Sequence, residues 1–416
     1  MDGVTTTIII QGRILNMICI GIDVSKGKST ICIMKPYGEI ISKPYEIAHI
    51  EKDLNDLVNT IKALNEENRV VMEATGIYHL PVLTYLQDNN IFVSVINPFV
   101  MKKYRCQAIR KGKTDKLDSI TIANYGLDNW FHLEEFKGLT ESYAELKLLS
   151  QQYRHYMNQH ICGLLALTHI LDYTMPGIKE LLSSFSESNG KDKLSDFVDK
   201  YWHFDNIRKM TQEEFINDYH KWAKEKGYHP NQEKAIEIHN LAMKSIPTLS
   251  STTSTTKTIV REAVRVLKEI DATLYKILTL MQEIASKLPE YKIVREMNGV
   301  GEILSAKLIA EIGDIRRFHS GKALIAYAGI DAPPYQSGQF MSVNRRISKR
   351  GSSSLRKVGY ETMRCIKSHK YENDAVYNFI IKKECEGKAK KVAKIAGLNK
   401  FLRIYYARVK EIYQNI

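Results

Sequence analysis

Asp23, Glu73, Asp115 and Asp118 are the residues of this chain whose types and settings best suit chemistry. In MICIGIDVS, Ile18, Ile20 and Ile22 alternate with Cys19, Gly21 and Asp23, the period of two that a strand requires. Asp23 therefore ends the strand on the face of small residues, where room is left for a ligand. Glu73 closes the apolar run VVMEAT. Asp115 and Asp118 stand three apart on a predicted helix, so both face one side with Cβ atoms about 5–6 Å apart. Four carboxylates drawn together repel unless cations neutralise them, and hard oxygen donors select Mg²⁺ or Mn²⁺. Two such ions about 4 Å apart can activate an attacking oxygen and stabilise a leaving one in phosphodiester cleavage. Each acid also has a plainer reading. Asp23 can cap the SKGK turn, Glu73 can pair with a lysine, and Asp115 can be an N-cap with Asp118 favoured by the helix dipole.

These acids need a scaffold, and residues 17 to 46 read as a three-stranded meander with Gly-, Ser- and Lys-rich turns. A helix (EKDLNDLVNTIKALNEEN), a strand (RVVMEAT), a short helix (YHLPVLTYLQD), a strand (IFVSVI) and a helix after Thr114 follow. Hairpin strands first, then alternating helix and strand, is the order of an RNase H-like α/β domain. A doubly wound sheet needs helices between its early strands.

From about 136 to 288 the pattern is helical. Val260, Ala263, Leu267, Ile270, Leu274, Ile277, Met281, Ile284 and Leu288 recur at alternating steps of three and four, a coiled-coil seam. It predicts either pairing between subunits, as a dimer or tetramer, or a long helix packed in its own domain. SIPTLSSTTSTTKT reads as a polar linker before it, and Pro289 ends it.

Charge points to a polyanion. The chain carries 60 Lys and Arg against 47 Asp and Glu, a net +13, and residues 341 to 416 alone hold 19 basic and 6 acidic side chains. A second basic stretch contains Lys102, Lys103, Arg105, Arg110, Lys111 and Lys113. Such clusters release counterions when they meet phosphates, although a merely basic surface has the same composition. The Asn298-Gly299-Val300-Gly301 turn between two predicted helices resembles a helix-hairpin-helix, whose backbone N–H groups can approach a phosphate. Its duller alternative is a packing corner. Downstream, APPYQSGQFMSVNRRISKRGSSSLRK supplies Arg345, Arg346, Lys349, Arg350 and Arg356, whose forks suit phosphate oxygens. Ser337 in this run reads, on its own, as a turn serine.

With 44% hydrophobic and 26% charged residues, the composition is that of a globular protein of two to four domains. No apolar stretch approaches the roughly 20 residues of a membrane span. The opening MDGVTTTIII lacks the basic start of a signal peptide, so the cytoplasm is the expected location, and Met17 offers an alternative start. The six cysteines show no C-x-x-C pair, which argues against a zinc site or disulfide framework.

GIDVSKGKS with Asp23, VVMEATGIYH with Glu73, KTDKLDS with Asp115 and Asp118, MNGVGEILSAKLIAEIGD, RFHSGKALIAYAGI, YQSGQ and RRISKRGSSSLRK occur in that order. In order and wording they resemble the DEDD transposases of insertion sequence family one hundred and ten, which include Piv-type DNA invertases. The likeness spans most of 17 to about 405 and is loose in the helical middle. It implies α/β plus all-α architecture: a short extension (1–16), a RuvC-like nuclease domain (17–135), a helical coiled-coil region (136–288) and a C-terminal transposase domain with a basic tail (289–416). It also implies that Ser337 is a nucleophile linked transiently to DNA and that a bridge RNA selects donor and target DNA; with Ser337 and the acids in different domains, a site within one subunit and one shared between subunits both stay open. Two alternatives stay open. One is a RuvC-like endonuclease using metal-activated water; the other is a non-catalytic nucleic-acid-binding scaffold.

Overall fold

The alternating residues at the start of the chain form β1 (Met17–Ser25), β2 (Lys28–Met34) and β3 (Ile40–Ala48). The structure is a computed structural model, and it describes residues 17–106, 114–136, 141–332, 336–337, 340–341 and 346–414. The chain divides into two compact units, Met1–Gly138 and Leu139–Ile416.

In the first unit β1 and β2 are antiparallel, with Ile22 opposite Ile31. Beyond β3 comes α1 (Glu51–Lys62), whose Leu54, Leu57, Val58 and Ile61 form one buried stripe. β4 (Glu67–Glu73) then runs parallel to β1, with Ile22 beside Met72. α2 (Leu80–Asp88) returns the chain to β5 (Val93–Ile96), parallel to β4. The order β3-β2-β1-β4-β5 is the one expected of an RNase H-like sheet.

The two faces of β1 have different jobs. Ile18, Ile20 and Ile22 share a core with the apolar stripes of α1 and α2. Met17 and Cys19 face the other way, with Val71 and Met101, Ile122 and Ala123. The latter three belong to α3 (Pro98–Arg105) and α4 (Asp115–Asp128). α3 was not foreseen in the basic stretch. Its start is nonetheless written in Asn97-Pro98: the Asn97 side chain accepts from the Phe99 N–H at 2.8 Å, and Pro98 needs no helical donor.

The second unit is helical. Its elements are α5 (Glu141–Thr174), α6 (Ile178–Leu181), α7 (Lys193–Tyr201), α8 (Phe204–Arg208), α9 (Gln212–Glu225), α10 (Gln232–Lys244), α11 (Ser254–Ser286), α12 (Tyr291–Arg295), α13 (Glu302–Ile312), α14 (Gly321–Ala328), α15 (Ser353–His369), α16 (Ala375–Cys385) and α17 (Lys390–Gln414). A two-residue ladder, β6 (Gln336–Ser337) with β7 (Phe340–Met341), precedes α15.

α5 and α11 lie antiparallel, with His160 against Asp271 and Gly163 facing Leu267. In the predicted seam Val260, Leu267, Leu274, Ile277 and Met281 are buried, and Ala263, Ile270, Ile284 and Leu288 pack beside them in the chain's own cores. The seam therefore closes within the chain, so those buried residues offer no surface for pairing subunits. The helix also begins earlier than the polar composition suggests. Ser254 opens it, and Thr256 is buried with its hydroxyl 2.6 Å from that of Thr253. Leu274, Leu278 and Met281 share one core with Val294, Leu308, Leu355 and Phe401, so packing continues across residue 288. Among the described residues, no helix is long and apolar enough to cross a membrane.

Candidate active site and nucleic-acid surface

Glu73 ends β4, while β1 runs two residues past Asp23 to Ser25; the two acids lie side by side just beyond the last β1–β4 pair, Ile22 with Met72. Helix α4 brings Asp115 and Asp118 to that end of the sheet. Its approach depends on two glycines. A Cβ on Gly21 would lie 2.3 Å from the Ser119 carbonyl oxygen and 2.5 Å from the Ala123 nitrogen. A Cβ on Gly126 would lie 2.3 Å from the Cys19 sulfur. The small face of β1 was read as room for a ligand, but a helix backbone fills it. Only a side chain beyond that contact, such as Asp23, remains at the edge.

Asp23 and Glu73 are half-buried, Asp118 is 8% exposed and Asp115 is exposed. Burial pushes the Asp23 carboxyl up to about 6; Asp118 and Asp115 add to the rise, Arg105 opposes it, and Glu73 adds further. All four acids thus act on one electrostatic site. Arg105, the last residue of α3, lies in their midst. Its terminal nitrogen donates to Glu73 Oε2 at 2.7 Å, and its Nε lies 3.2 Å from Asp118 Oδ1. The Nε contact lacks hydrogen-bond alignment, so charge rather than a directed bond joins it to Asp118.

The plainer readings fare differently. Glu73 does have a basic partner, but it is an arginine. Thr114 is the N-cap of α4, accepting from the Leu117 N–H at 3.2 Å, which leaves Asp115 free of that duty. Among the described residues no three acidic, histidine or cysteine side chains are gathered closely enough to hold an ion as they stand. The Arg105 guanidinium lies between Glu73 and Asp118. Sequence reasoning assigned Arg105 to phosphate and missed this role; its only signal was a lone arginine at the end of a capped, two-turn helix.

Lys102 and Lys103 are exposed on α3, and Lys103 also lies over the Phe99 ring. Arg110, Lys111, Lys113 and Arg345 lie outside the described residues. Arg346, Lys349 and Arg350 are exposed. Arg356 differs from these three in its setting. It is half-buried, and one guanidinium nitrogen donates to the backbone carbonyls of Ala328 at 2.9 Å and Gly351 at 3.1 Å. The arginine locks the end of α14 to the loop before α15, a spacing that a basic run cannot reveal. The backbone of Ser337 pairs with Phe340, while its side chain lies outside the described residues.

The NGVG turn joins α12 to α13. Gly299 has φ +75°, and a Cβ there would meet Ile366 backbone nitrogen at 2.9 Å, so glycine is needed for both conformation and space. Val300 is buried, which makes the turn a packing corner on its inner side. Gly301 is open, and its turn lines a cleft of about 1400 Å³ that also receives Arg295, Arg364, Lys367 and Lys394. Glu187, Glu296, Glu302 and Glu361 line the same cleft, so the turn is a packing corner on its inner side and borders a cleft of mixed charge on its outer one.

An edge cluster of carboxylates on this sheet, beside exposed lysines, belongs to the class of enzymes that act on nucleic-acid phosphates. The family model for the DEDD domain, described as Transposase, matches residues 20–176, and the model described as Transposase IS116/IS110/IS902 family matches residues 291–378. The chain belongs to the IS110 family of transposases and is a DNA recombinase. It is similar to the pilin gene-inverting protein of Moraxella bovis, 23% identical over 342 residues that cover 82% of this chain and 80% of that one. The pilin gene-inverting protein of Moraxella lacunata matches with the same identity and coverage.

Proposed function

We propose that this transposase cuts and rejoins DNA strands with Asp23, Glu73, Asp115 and Asp118 holding Mg²⁺ or Mn²⁺, and with Ser337 as nucleophile. The supporting observation is that Asp118, Asp115 and Glu73 all act on the Asp23 carboxyl, with Arg105 lying between Glu73 and Asp118. Their donor set is all oxygen, which fits a hard divalent ion, and the guanidinium between Glu73 and Asp118 stands in for a cation. When bound, such ions supply charge stabilisation to the attacked phosphate. The Ser337 oxygen then forms an ester to phosphorus as the deoxyribose oxygen leaves and takes a proton. Attack by a second strand's hydroxyl on that ester rejoins DNA and restores the serine.

The partners of this reaction are donor and target DNA and a bridge-type guide RNA, served by Lys102 and Lys103 in the first unit and by Arg346 in the second. The chain acts as a homo-oligomer, which allows acids and serine to come from different subunits. Gene inversion, the activity for which the Moraxella relatives are named, fits the same cut-and-rejoin chemistry. Incubating the purified protein with matched DNAs, Mg²⁺ and RNA from the flanking element tests this reading. A protease-sensitive protein–DNA adduct and joined product are expected, and Ser337→Ala is expected to abolish both. Cleavage that survives in Ser337→Ala without any adduct points instead to hydrolysis by water.

A further inference from the structure

Arg105 is placed with care for a residue next to an acidic site. Met101 anchors α3 in the core at 0% exposure. Tyr104, its immediate neighbour, hydrogen-bonds to Asp128 and meets the edge of Tyr125 with ring centroids 5.2 Å apart. Both partners belong to α4, the helix that carries Asp115 and Asp118. The clamp therefore fixes where α3 ends relative to the acids and aims the next side chain at them.

The bridge made by Arg105 is nevertheless incomplete. A strong arginine–carboxylate pair uses two parallel hydrogen bonds to one partner. Here the fork is divided, with one good bond to Glu73 and an unaligned contact to Asp118, and the arginine side chain is 29% exposed. It brings one positive charge to Glu73 and Asp118. A divalent ion adds two and demands the same carboxylate oxygens at about 2.1 Å, which leaves no space for the guanidinium between them. Lys102 and Lys103, exposed on the same short helix, mark the surface that a displaced arginine would join.

We propose that Arg105 is a built-in counter-ion that holds Glu73 and Asp118 until a divalent metal displaces it, and that the freed guanidinium then binds a DNA phosphate. The role rests on the metal-binding reading above. It links loading of the acids to engagement of the substrate, because one side chain cannot serve both at once. Without metal, Arg105 lowers repulsion among the acids; with metal, it is available to the polyanion.

The test uses the full chain and Mn²⁺ alone, titrated by calorimetry in the wild type, Arg105→Gln, Arg105→Lys and Asp23→Asn. Losing a competing partly exposed charge should tighten Mn²⁺ binding by about tenfold in Arg105→Gln, while Arg105→Lys stays near the wild type. Thermal melting should fall for Arg105→Gln in chelator and recover with Mn²⁺ by a larger shift than in the wild type. An arginine that merely supports the fold would give weaker Mn²⁺ binding and lower melting in both conditions. With metal present, the salt dependence of DNA binding should be shallower by about one phosphate contact in Arg105→Gln. Unchanged or weaker Mn²⁺ affinity in Arg105→Gln, alongside wild-type binding that Asp23→Asn removes, overturns the counter-ion role alone. Absence of any Mn²⁺ binding sensitive to Asp23→Asn overturns the metal reading and this role with it. An unaltered salt slope overturns the transfer to phosphate.

Discussion

Two clusters of carboxylates in this protein share one electrostatic signature and differ in almost everything else. In the first unit, Asp23 is raised to about 6 by burial and by Asp118 and Asp115. In the second, Asp192 is also raised to about 6, by burial first, with the Ser195 backbone N–H opposing and Asp271 adding to the rise. The second cluster is sealed: His160, Asp271 and Asp192 are 5%, 3% and 6% exposed, and His160 Nδ1 lies 2.6 Å from Asp271 Oδ1. Its residues come from α5, α11 and the N-cap of α7, elements that pack against one another. The first lies where the β1–β4 ladder stops, with an exposed member and an arginine between two of its four acids. A raised carboxyl alone does not mark an active site. Access to solvent is what separates the two clusters.

Breaking each cluster should therefore have opposite consequences. Asp23→Asn is the largest expected effect. It keeps the shape, removes a charge the site needs, and should lower strand cleavage by about 10³-fold. Melting in chelator should not fall, because a repelled charge has been removed. Near-normal cleavage by this variant would return Asp23 to the role of a turn residue. Asp271→Ala should do the reverse. It leaves the His160 ring nitrogen sealed without its partner, at a cost of about 1–3 kcal/mol in urea unfolding. Cleavage per folded molecule should be unchanged. A loss of cleavage in the folded fraction would end the division between chemical and structural clusters.

The sequence made the first cluster legible because strand alternation and the three-residue helical step are local signals. Asp23, Glu73 and the Asp115/Asp118 pair each fall at a readable position, and the meander-then-alternation order suggested how to bring them together. What joins them was not readable. Gly21 looked like a small residue beside free space, but together with Gly126 it serves a helix–sheet contact between segments a hundred residues apart. Arg105 and Arg356 looked alike as members of basic runs. One turns to carboxylates and the other to backbone carbonyls, a choice made by tertiary neighbours. The seam in α11 was correctly periodic, yet periodicity cannot say whether the partner is another chain or α5. The His160–Asp271 pair spans 111 residues with no local pattern, and nothing in the sequence marks it.

The glycine contact offers a sharper test of how the open cluster is built. Gly21→Ala adds one methyl group against the Ser119 carbonyl and Ala123, both backbone or near-backbone obstacles. Overpacking of this kind costs about 1–3 kcal/mol. The shift should lift α4 away from β1 and carry Asp115 and Asp118 with it. Calorimetric Mn²⁺ affinity should fall along with stability, whereas Asp271→Ala should leave metal affinity intact. Equal metal binding by Gly21→Ala and the wild type would mean that the acids do not depend on this helix–sheet contact.

The smallest effect is a slope rather than a loss, and it belongs to the sealed cluster. Asp192 has a carboxyl near 6 when folded and near 3.8 when unfolded. Between those values the folded state binds more protons than the unfolded one, so this group makes stability fall as pH rises. Its penalty is absent below about 3.8 and complete above about 6. Asp192→Asn keeps the N-cap acceptor for the Ser195 N–H, at 2.8 Å in the native helix, and removes the titration. Urea unfolding between pH 4.5 and 7 should therefore show a shallower decline for Asp192→Asn than for the wild type. Parallel pH profiles in the two proteins would mean that this aspartate is not held protonated in the fold. Its likeness to Asp23 would then be one of burial alone.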